Sequence, residues 1–162
     1  MDVIIPLLKS RKSQKEEVFK VSHFEGAEGI KLVVEKALYC QSRQWKIIAP
    51  AKNFFSDFDE NYARYFLKTR RANGVKAQSL WEFKPGRRIL SAEEIKERNP
   101  RYLPKTMHGK FQSVVIVFDD KVAFISSMKN LSAVLIQSRE INETLAAIFS
   151  GLREGSVPIK NA

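Results

Sequence analysis

The sequence predicts an α/β fold in which a layered, mixed β-sheet is flanked by helices. Short apolar runs of strand length alternate with amphipathic helical segments over residues 18–83, and this alternation produces right-handed crossovers between parallel strands. Three more runs of strand length then follow with only turns between them, which predicts an antiparallel meander. With 162 residues, 44% of them hydrophobic, the chain is long enough to bury a core of ordinary size.

The first half of the chain contains two strand–helix pairs. Residues 18–24 alternate loosely between polar and apolar side chains, and residues 45–49 form a short apolar run closed by a proline. Residues 27–39 and 53–71 instead carry apolar side chains at intervals of three and four, which predicts helices with one buried face. The Asn-Gly pair at 73–74 is a typical helix stop.

The second half supplies the rest of the sheet. Residues 75–83 form a strand, and the short helix over residues 92–98 begins with a capping box, Ser-Ala-Glu-Glu. An irregular loop is expected over residues 101–109. The first strand of the meander, residues 113–118, is apolar throughout, which is typical of a strand buried on both faces. The two remaining strands and the closing helix are expected at residues 121–127, 131–138 and 139–153.

Positive charge is concentrated in the middle of the chain. The formal net charge is +10, and the stretch from Arg64 to Lys110 holds thirteen lysines and arginines against four glutamates, a net of +9. Such a field favours anionic partners, with nucleic acid first. A solvated basic surface that only aids solubility explains the charge equally well. The candidate anion-binding residues are Lys68, Arg70, Arg71, Arg87, Arg88, Arg98, Arg101, His108 and Lys110.

One tripeptide, His108-Gly-Lys110, is the candidate for catalysis. It is the only His-x-Lys in the chain, and it could handle phosphate, with the imidazole as nucleophile and the ammonium group neutralising charge. A pattern of three residues is not specific, and a loop histidine that merely neighbours a lysine is the simpler interpretation. His23 and His108 each lack a second ligand at metal-binding spacing, so no metal and no cofactor are expected.

The remaining composition indicates the compartment. The single cysteine, Cys40, excludes an internal disulfide and predicts a reducing compartment, the cytoplasm. No apolar run approaches the roughly 20 residues that a membrane-spanning helix needs, so no membrane partner is expected.

Several local sequences stand in a familiar order and spacing. They are FEGAEGI (24–30), KIIA (46–49), NGVK (73–76), VVIVFDDKVAFIS (114–126), AVLIQ (133–137) and INETLAAIF (141–149). Together they resemble the C-terminal effector domain of TrmB-type transcriptional regulators, and the resemblance covers roughly residues 18–153. It implies a phospholipase D-like fold that has lost its catalytic activity.

The resemblance also bears on catalysis. Active phospholipase D-type enzymes carry His-x-Lys, then four residues, then Asp, and later a Gly-Ser-x-Asn stretch. In this chain Val115 stands at the Asp position, and residues 125–127 lack the Gly and the following Asn. Active enzymes also need two such motifs, from two halves or two chains. The resemblance therefore implies that the chain is not an enzyme.

The domain division follows from the same resemblance. Residues 1–17 are expected to be a basic linker, residues 18–155 the effector domain and residues 156–162 a polar tail. Family members carry a winged helix-turn-helix ahead of this domain, and residues 1–17 are too short to hold one. The implied function is a non-enzymatic, ligand-sensing domain that forms a homodimer. It would bind a sugar-like effector and would reach DNA through a winged-helix domain that is absent here.

Two alternatives remain open at this stage. In the first, the chain is a phospholipase D-type phosphodiesterase or nuclease whose site is assembled across a dimer, each copy giving His108 and Lys110. In the second, the chain is a stand-alone basic domain that binds nucleic acid directly.

Overall fold

One mixed β-sheet runs through the computed structural model, which describes residues 18–51, 59–126 and 130–159. Eight strands of the described residues form it. In chain order they are β1 (Lys20–Glu25), β2 (Gln44–Ala49), β3 (Lys76–Trp81), β4 (Pro100–Tyr102), β5 (Ser113–Phe118), β6 (Lys121–Ser126), β7 (Ser132–Gln137) and β8 (Val157–Pro158). The helices of the same residues are α1 (Gly26–Leu38), α2 (Glu60–Ala72), α3 (Ala92–Arg98), α4 (Arg139–Glu154) and one 3-10 turn, Lys105–Met107.

The order of the strands across the sheet is β1-β7-β6-β5-β2-β3-β4-β8. Strands β2, β3 and β4 are parallel neighbours, and every other pair is antiparallel. The predicted meander, β5 to β7, is therefore confirmed, as is the α/β layered class. Asp119, in the turn between β5 and β6, has a φ of 47°, the left-handed conformation that tight hairpin turns need and that Asp tolerates.

Two hydrophobic layers cover the sheet. On one face, α1 packs on β2, β3 and the meander, and Trp45 anchors this layer by donating its indole N–H to the Ala37 carbonyl at 2.8 Å. Phe66 of α2 stacks on the Trp45 ring, with 5.7 Å between centroids. On the other face, Phe149 of α4 packs against Ile48 and Leu80. Burial on both faces explains why the central strands read as continuous apolar runs.

Three predicted boundaries differ from the structure. The helix expected over residues 53–71 begins at Glu60, because the extended residue Asp59 caps it and accepts a hydrogen bond from the Tyr62 N–H at 2.9 Å; residues 53–58 lie outside the described residues. The loop expected over residues 101–109 is wrong in part, since it contains β4 and the 3-10 turn. The segment interpreted as a polar tail contributes β8, which pairs with β4.

The fold also has a direction that matters for function. The carboxyl ends of β2, β3 and β4, at Ala49, Trp81 and Tyr102, lie at one end of the sheet. Strand β5 runs antiparallel to β2, so it starts at this same end, at Ser113. We call this region the carboxyl end of the sheet. None of the described helices has the length and hydropathy needed to cross a bilayer.

The packing of Phe149 against Ile48 and Leu80 leads to a prediction about stability. Phe149 is only 1% exposed whereas its neighbour in α4, Ile148, is 52% exposed. Replacing Phe149 by Ala should lower the free energy of unfolding by about 3–5 kcal/mol, because the cavity adds to the lost burial. Ile148→Ala is the matched control and should cost less than about 1 kcal/mol. Urea denaturation of both variants checks this, and similar losses in the two would contradict the assigned packing.

Candidate functional site

A buried glutamate organises the carboxyl end of the sheet. Glu82, directly after β3, is 4% exposed. Its two carboxylate oxygens accept hydrogen bonds from the backbone N–H groups of Ala51, at 3.1 Å, and Phe111, at 3.2 Å. Its own N–H donates to the Ala49 carbonyl at 3.1 Å. One side chain thus joins the ends of β2 and β3 to the segment that leads into β5.

An aromatic row lies beside this junction. The ring of Phe83, 47% exposed, meets Tyr102 edge-on with 5.4 Å between centroids, and meets His108 edge-on with 5.7 Å. Such edge-to-face pairs are favourable because the positive edge of one ring faces the negative face of the other. The row places the imidazole of His108 at the carboxyl end of the sheet.

Local backbone geometry presents the His-x-Lys tripeptide to solvent. The 3-10 turn ends at His108, whose N–H donates to the Lys105 carbonyl at 3.2 Å. Gly109 follows with a φ of 71°, a conformation that costs glycine little and other residues more. The Lys110 N–H then donates to the Met107 carbonyl at 3.2 Å. His108 and Lys110 are both exposed, so both are accessible to a ligand.

The structure divides the other predicted basic residues into two groups. In the first group, the guanidinium groups are held by the protein itself. Arg70 is 2% exposed and donates to the Val75 carbonyl at 3.0 Å and to Glu97 at 3.1 Å, while Arg71 donates to the same Glu97 oxygen at 3.1 Å. These bonds tie α2 to α3.

Two more arginines of this group bind to nearby residues of the protein. Arg88 pairs with Glu94, and that hydrogen bond lowers the pKa of Glu94 to about 2. Arg101 donates to the hydroxyl and carbonyl oxygens of Ser156, which secures β8 against β4. The predicted anion-binding roles of these four arginines stay predictions, but their donors are already engaged in the fold.

The second group has its charge available. Lys68 is exposed on α2. The guanidinium carbon of Arg87 lies 4.6 Å from the centroid of the Trp81 ring and that of Arg98 lies 5.9 Å from it, so both make cation–π contacts with the last residue of β3. Burial and the positive charge of the neighbouring Arg70 together lower the pKa of Arg98 to about 10.

The opposite end of the sheet has different chemistry. A polar pocket there is lined by Gln41, Ser42, Asp119, Asp120, Lys121 and Gln137. The Asp119 carboxylate accepts hydrogen bonds from the backbone N–H groups of Gln41 and Ser42 at 3.0 and 2.9 Å. The charged groups that line the pocket are two carboxylates and one ammonium group. The net negative charge of this pocket would repel an anionic ligand. In the described part of the chain, no three His, Cys, Asp or Glu side chains converge as metal ligands would.

Comparison with known proteins identifies the architecture. A scan against protein-family models and a search of curated proteins find no match. Among solved structures, the chain is similar to NucT from Helicobacter pylori, with a TM-score of 0.62 and 13% identity over 88% of this chain and 100% of that one. The fold is phospholipase D-like. The phospholipase D family member Nuc from Salmonella typhimurium matches with a TM-score of 0.60 and 13% identity over 89% of this chain and 100% of that chain.

A third neighbour relates to the regulator resemblance. TrmBL2, an archaeal chromatin protein described as showing a novel mode of DNA binding, matches with a TM-score of 0.56 and 18% identity. The match covers 98% of this chain and 61% of TrmBL2. The predicted phospholipase D-like fold is therefore confirmed, and the resemblance to TrmB-type regulators is supported at the level of the fold.

The expectation that the chain is not an enzyme is contradicted by these neighbours. NucT and Nuc are each matched over their whole length, and Nuc is a member of the phospholipase D family. The expectation depended on motif residues missing after Lys110, above all the Asp replaced by Val115. Because the fold likeness extends over a complete phospholipase D family chain, the missing motif residues alone do not exclude catalysis.

Sequence reasoning missed the residues that assemble this site. Glu82, Phe83 and Tyr102 belong to no motif, and Trp81 reads as an ordinary strand residue. One signal was present: an acidic residue directly after the last apolar residue of a parallel strand, at the end of the sheet where α/β folds place their sites. Its partners were not predictable, because the segments near residues 51 and 111 meet it only through the order of the strands.

The glutamate junction makes a second prediction. Glu82→Ala should lower the free energy of unfolding by about 3 kcal/mol, because it removes two charge-assisted hydrogen bonds and leaves two N–H groups without their acceptors. Glu82→Gln retains one acceptor oxygen and should lose about half as much. Glu93→Gln, at an exposed position of α3, is the control. Urea denaturation measures the losses, and faster amide exchange at Ala51 and Phe111 should accompany them. A Glu82→Ala protein as stable as the control would refute the junction.

Proposed function

We propose that the chain is a phospholipase D-type phosphodiesterase that acts on nucleic acid, with a site assembled across a homodimer from two copies of His108 and Lys110. The observation that carries the proposal is the position of these residues. Both are exposed at the carboxyl end of the sheet, where ligands bind in α/β folds, and the fold is shared with a phospholipase D family member over that protein's whole length.

The chemistry assigns a role to each side chain. A neutral His108 imidazole attacks the phosphorus of the phosphodiester, the bond from phosphorus to the leaving oxygen breaks, and the imidazolium of the second copy's His108 gives that oxygen its proton. The second imidazole then takes a proton from water, whose oxygen attacks the phosphorus and releases the first imidazole. Lys110 neutralises the non-bridging oxygens throughout. No metal is needed for these steps.

Charge supports nucleic acid as the substrate. The chain has a formal net charge of +10, most of it between Arg64 and Lys110, the stretch that contains the candidate site. Such a local excess attracts a polyanion, and each phosphate that it neutralises adds to the affinity. A reducing, cytoplasmic compartment is part of the same proposal, because Cys40 is a buried free thiol.

The environment of His108 also bears on the rate. Val115 replaces the motif Asp, and the ring contact of His108 is with the edge of Phe83. An aromatic edge orients an imidazole less strongly than a hydrogen-bonded carboxylate does. We therefore expect slower turnover than in an enzyme with the full motif.

The test is cleavage of a phosphodiester reporter and of a labelled oligonucleotide, in the presence of a chelator to suppress contaminating nucleases. His108→Ala should lower the rate at least 100-fold, because it removes both nucleophile and general acid. His23→Ala is the matched control, since His23 is the other histidine and lies on β1 at the far side of the sheet. No cleavage by the parent protein, or equal cleavage by His108→Ala, would exclude the proposal.

Mixing experiments test whether the site is shared. If each site needs His108 from both copies, mixtures of parent protein with His108→Ala protein should lose activity as the square of the parent fraction after subunit exchange. Sites complete within one chain would give a linear loss instead. Sedimentation at the same concentrations should show a dimer, and a monomer at every concentration would contradict the shared site.

A second candidate is a DNA-associated regulator domain. One observation favours it: the likeness to TrmBL2 extends over 98% of this chain with a TM-score of 0.56. In this case a bound small molecule, such as a sugar, would alter the packing of a homodimer and hence the position of an attached DNA-binding domain. The cleavage assay separates the two candidates, because this one predicts a dimer that responds to an effector and leaves the reporter intact.

A further inference from the structure

Among the described residues, the guanidinium group of Arg98 has no salt-bridge partner. Arg98 is the last residue of α3 and is half-buried. Within the described residues it makes no hydrogen bond or ion pair, and its contact is with the Trp81 ring at 5.9 Å. Removing a charged group from water without pairing it is costly. An arginine in this state can therefore bind an anionic ligand at little further cost in desolvation.

Arg87 contacts the same Trp81 ring, and its guanidinium group also lacks some of its hydrogen-bond partners among the described residues. Its guanidinium carbon is 4.6 Å from the Trp81 centroid. One terminal nitrogen donates to the Glu82 carbonyl at 3.4 Å, while its Nε is buried without an acceptor among the described residues. Burial lowers the pKa of Arg87, with a smaller opposing effect from the nearby Tyr102 hydroxyl. Two arginines thus converge on one aromatic ring.

The surroundings do not neutralise these two charges. The carboxylates nearby are Glu94 and Glu97, and each is already engaged, Glu94 by Arg88 and Glu97 by Arg70 and Arg71. Glu94 attracts Arg98 from a distance, but Arg70, Arg71 and Arg88 all repel it. Five guanidinium groups thus share these two carboxylates, and Arg87 and Arg98 are the two that make no ion pair with either of them.

We infer that Arg98 and Arg87, which both contact the Trp81 ring, form a binding subsite for a phosphate group of a nucleic-acid backbone. Guanidinium groups suit this ligand because their parallel N–H donors match two phosphate oxygens. The anion would give Arg98 the direct ion pair that no described residue provides. The nucleic-acid part of the inference rests on the proposed function, whereas the phosphate subsite stands on the cluster itself.

Position connects the subsite to His108. Arg87 lies beside Tyr102, Tyr102 meets Phe83, and Phe83 meets His108. Basic and aromatic side chains thus form a continuous series of contacts from α3 to His108. An exposed ring such as Phe83 provides a surface on which a base can stack, and basic side chains on either side suit the adjoining phosphates. The subsite would hold the backbone at a distance from the phosphate that reacts.

The experiment uses tryptophan fluorescence on the full chain. The parent protein is titrated with inorganic phosphate at constant ionic strength, with chloride as the balancing anion. Trp81 should report binding, and Trp81→Phe should lose the response while Trp45, buried in the core, continues to emit. Arg98→Gln should weaken phosphate binding at least tenfold, and Arg98→Lys should lie between the two, since it keeps charge but not the paired donors. Arg64→Gln, at an exposed position of α2, is the control of equal charge and should bind like the parent.

Backbone binding is measured with a single-stranded oligothymidylate. The oligonucleotide should displace inorganic phosphate from the parent protein. The slope of log affinity against log salt should fall in magnitude by about 0.7 in Arg98→Gln, the amount for one phosphate contact on a single strand. An Arg64→Gln protein should keep the parent slope, because Arg64 is not part of the subsite. Failure of the oligonucleotide to compete with phosphate would overturn nucleic acid as the ligand.

The outcomes separate the subsite from catalysis. No Trp81 response to phosphate in the parent, or an equal response in Arg98→Gln and Arg64→Gln, would overturn the subsite even if cleavage is found. His108→Ala should keep the phosphate response, because His108 is not part of the cluster. If the parent binds phosphate through Arg98 but cleaves nothing, the subsite is supported and the phosphodiesterase proposal fails.

Discussion

A single buried carboxylate, that of Glu82, holds together the end of the sheet that carries His108 and Lys110. It accepts the N–H groups of Ala51 and Phe111, which lie on segments far apart in sequence. These bonds satisfy backbone donors that burial would otherwise leave unpaired, at a cost of about 1–3 kcal/mol each. They also place the loop that carries Phe83 beside the turn that presents His108. The position of the His108 imidazole thus depends on the hydrogen bonds that Glu82 accepts from these two backbone N–H groups.

The arginines show how one residue type serves two purposes in the same region. Arg70 and Arg101 are bonded to carbonyl or carboxylate and hydroxyl groups of the chain, and they connect α2 to α3 and β4 to β8. Arg87 and Arg98 lie on Trp81 with donors to spare. Composition alone treats these residues as equivalent positive charges. The difference arises because the two nearby glutamates are already paired, so some guanidinium groups are left with unmatched charge.

The direction of the strands explains why the site is at one end of the sheet. Strands β2, β3 and β4 are parallel, so their carboxyl ends and the loops that follow lie together. The antiparallel strand β5 begins at the same end, which brings His108 and Lys110, shortly before it in sequence, to the same place. At the other end, the Asp119–Asp120 turn supplies negative charge.

The sequence by itself determined the elements whose patterns are local. The meander, the first two helices and the capping box of α3 were predictable, because hydrophobic periodicity and turn residues act within a few positions. The box is present as expected, with Ser91 and Glu94 exchanging hydrogen bonds at 3.0 and 3.1 Å. The exposure of His108 and Lys110 also follows from a polar loop that precedes a buried strand.

Only the tertiary structure decided which residues meet. Strands β4 and β8 are three and two residues long, too short to show a period, and they exist because neighbouring strands pair with them. The bond from Arg70 to Glu97 joins residues 27 positions apart, and that from Phe111 to Glu82 joins residues 29 positions apart. The order of strands in the sheet sets such contacts, and no local pattern encodes that order. For this reason the charges were visible in the sequence, whereas the pairing of these charges among the described residues was not.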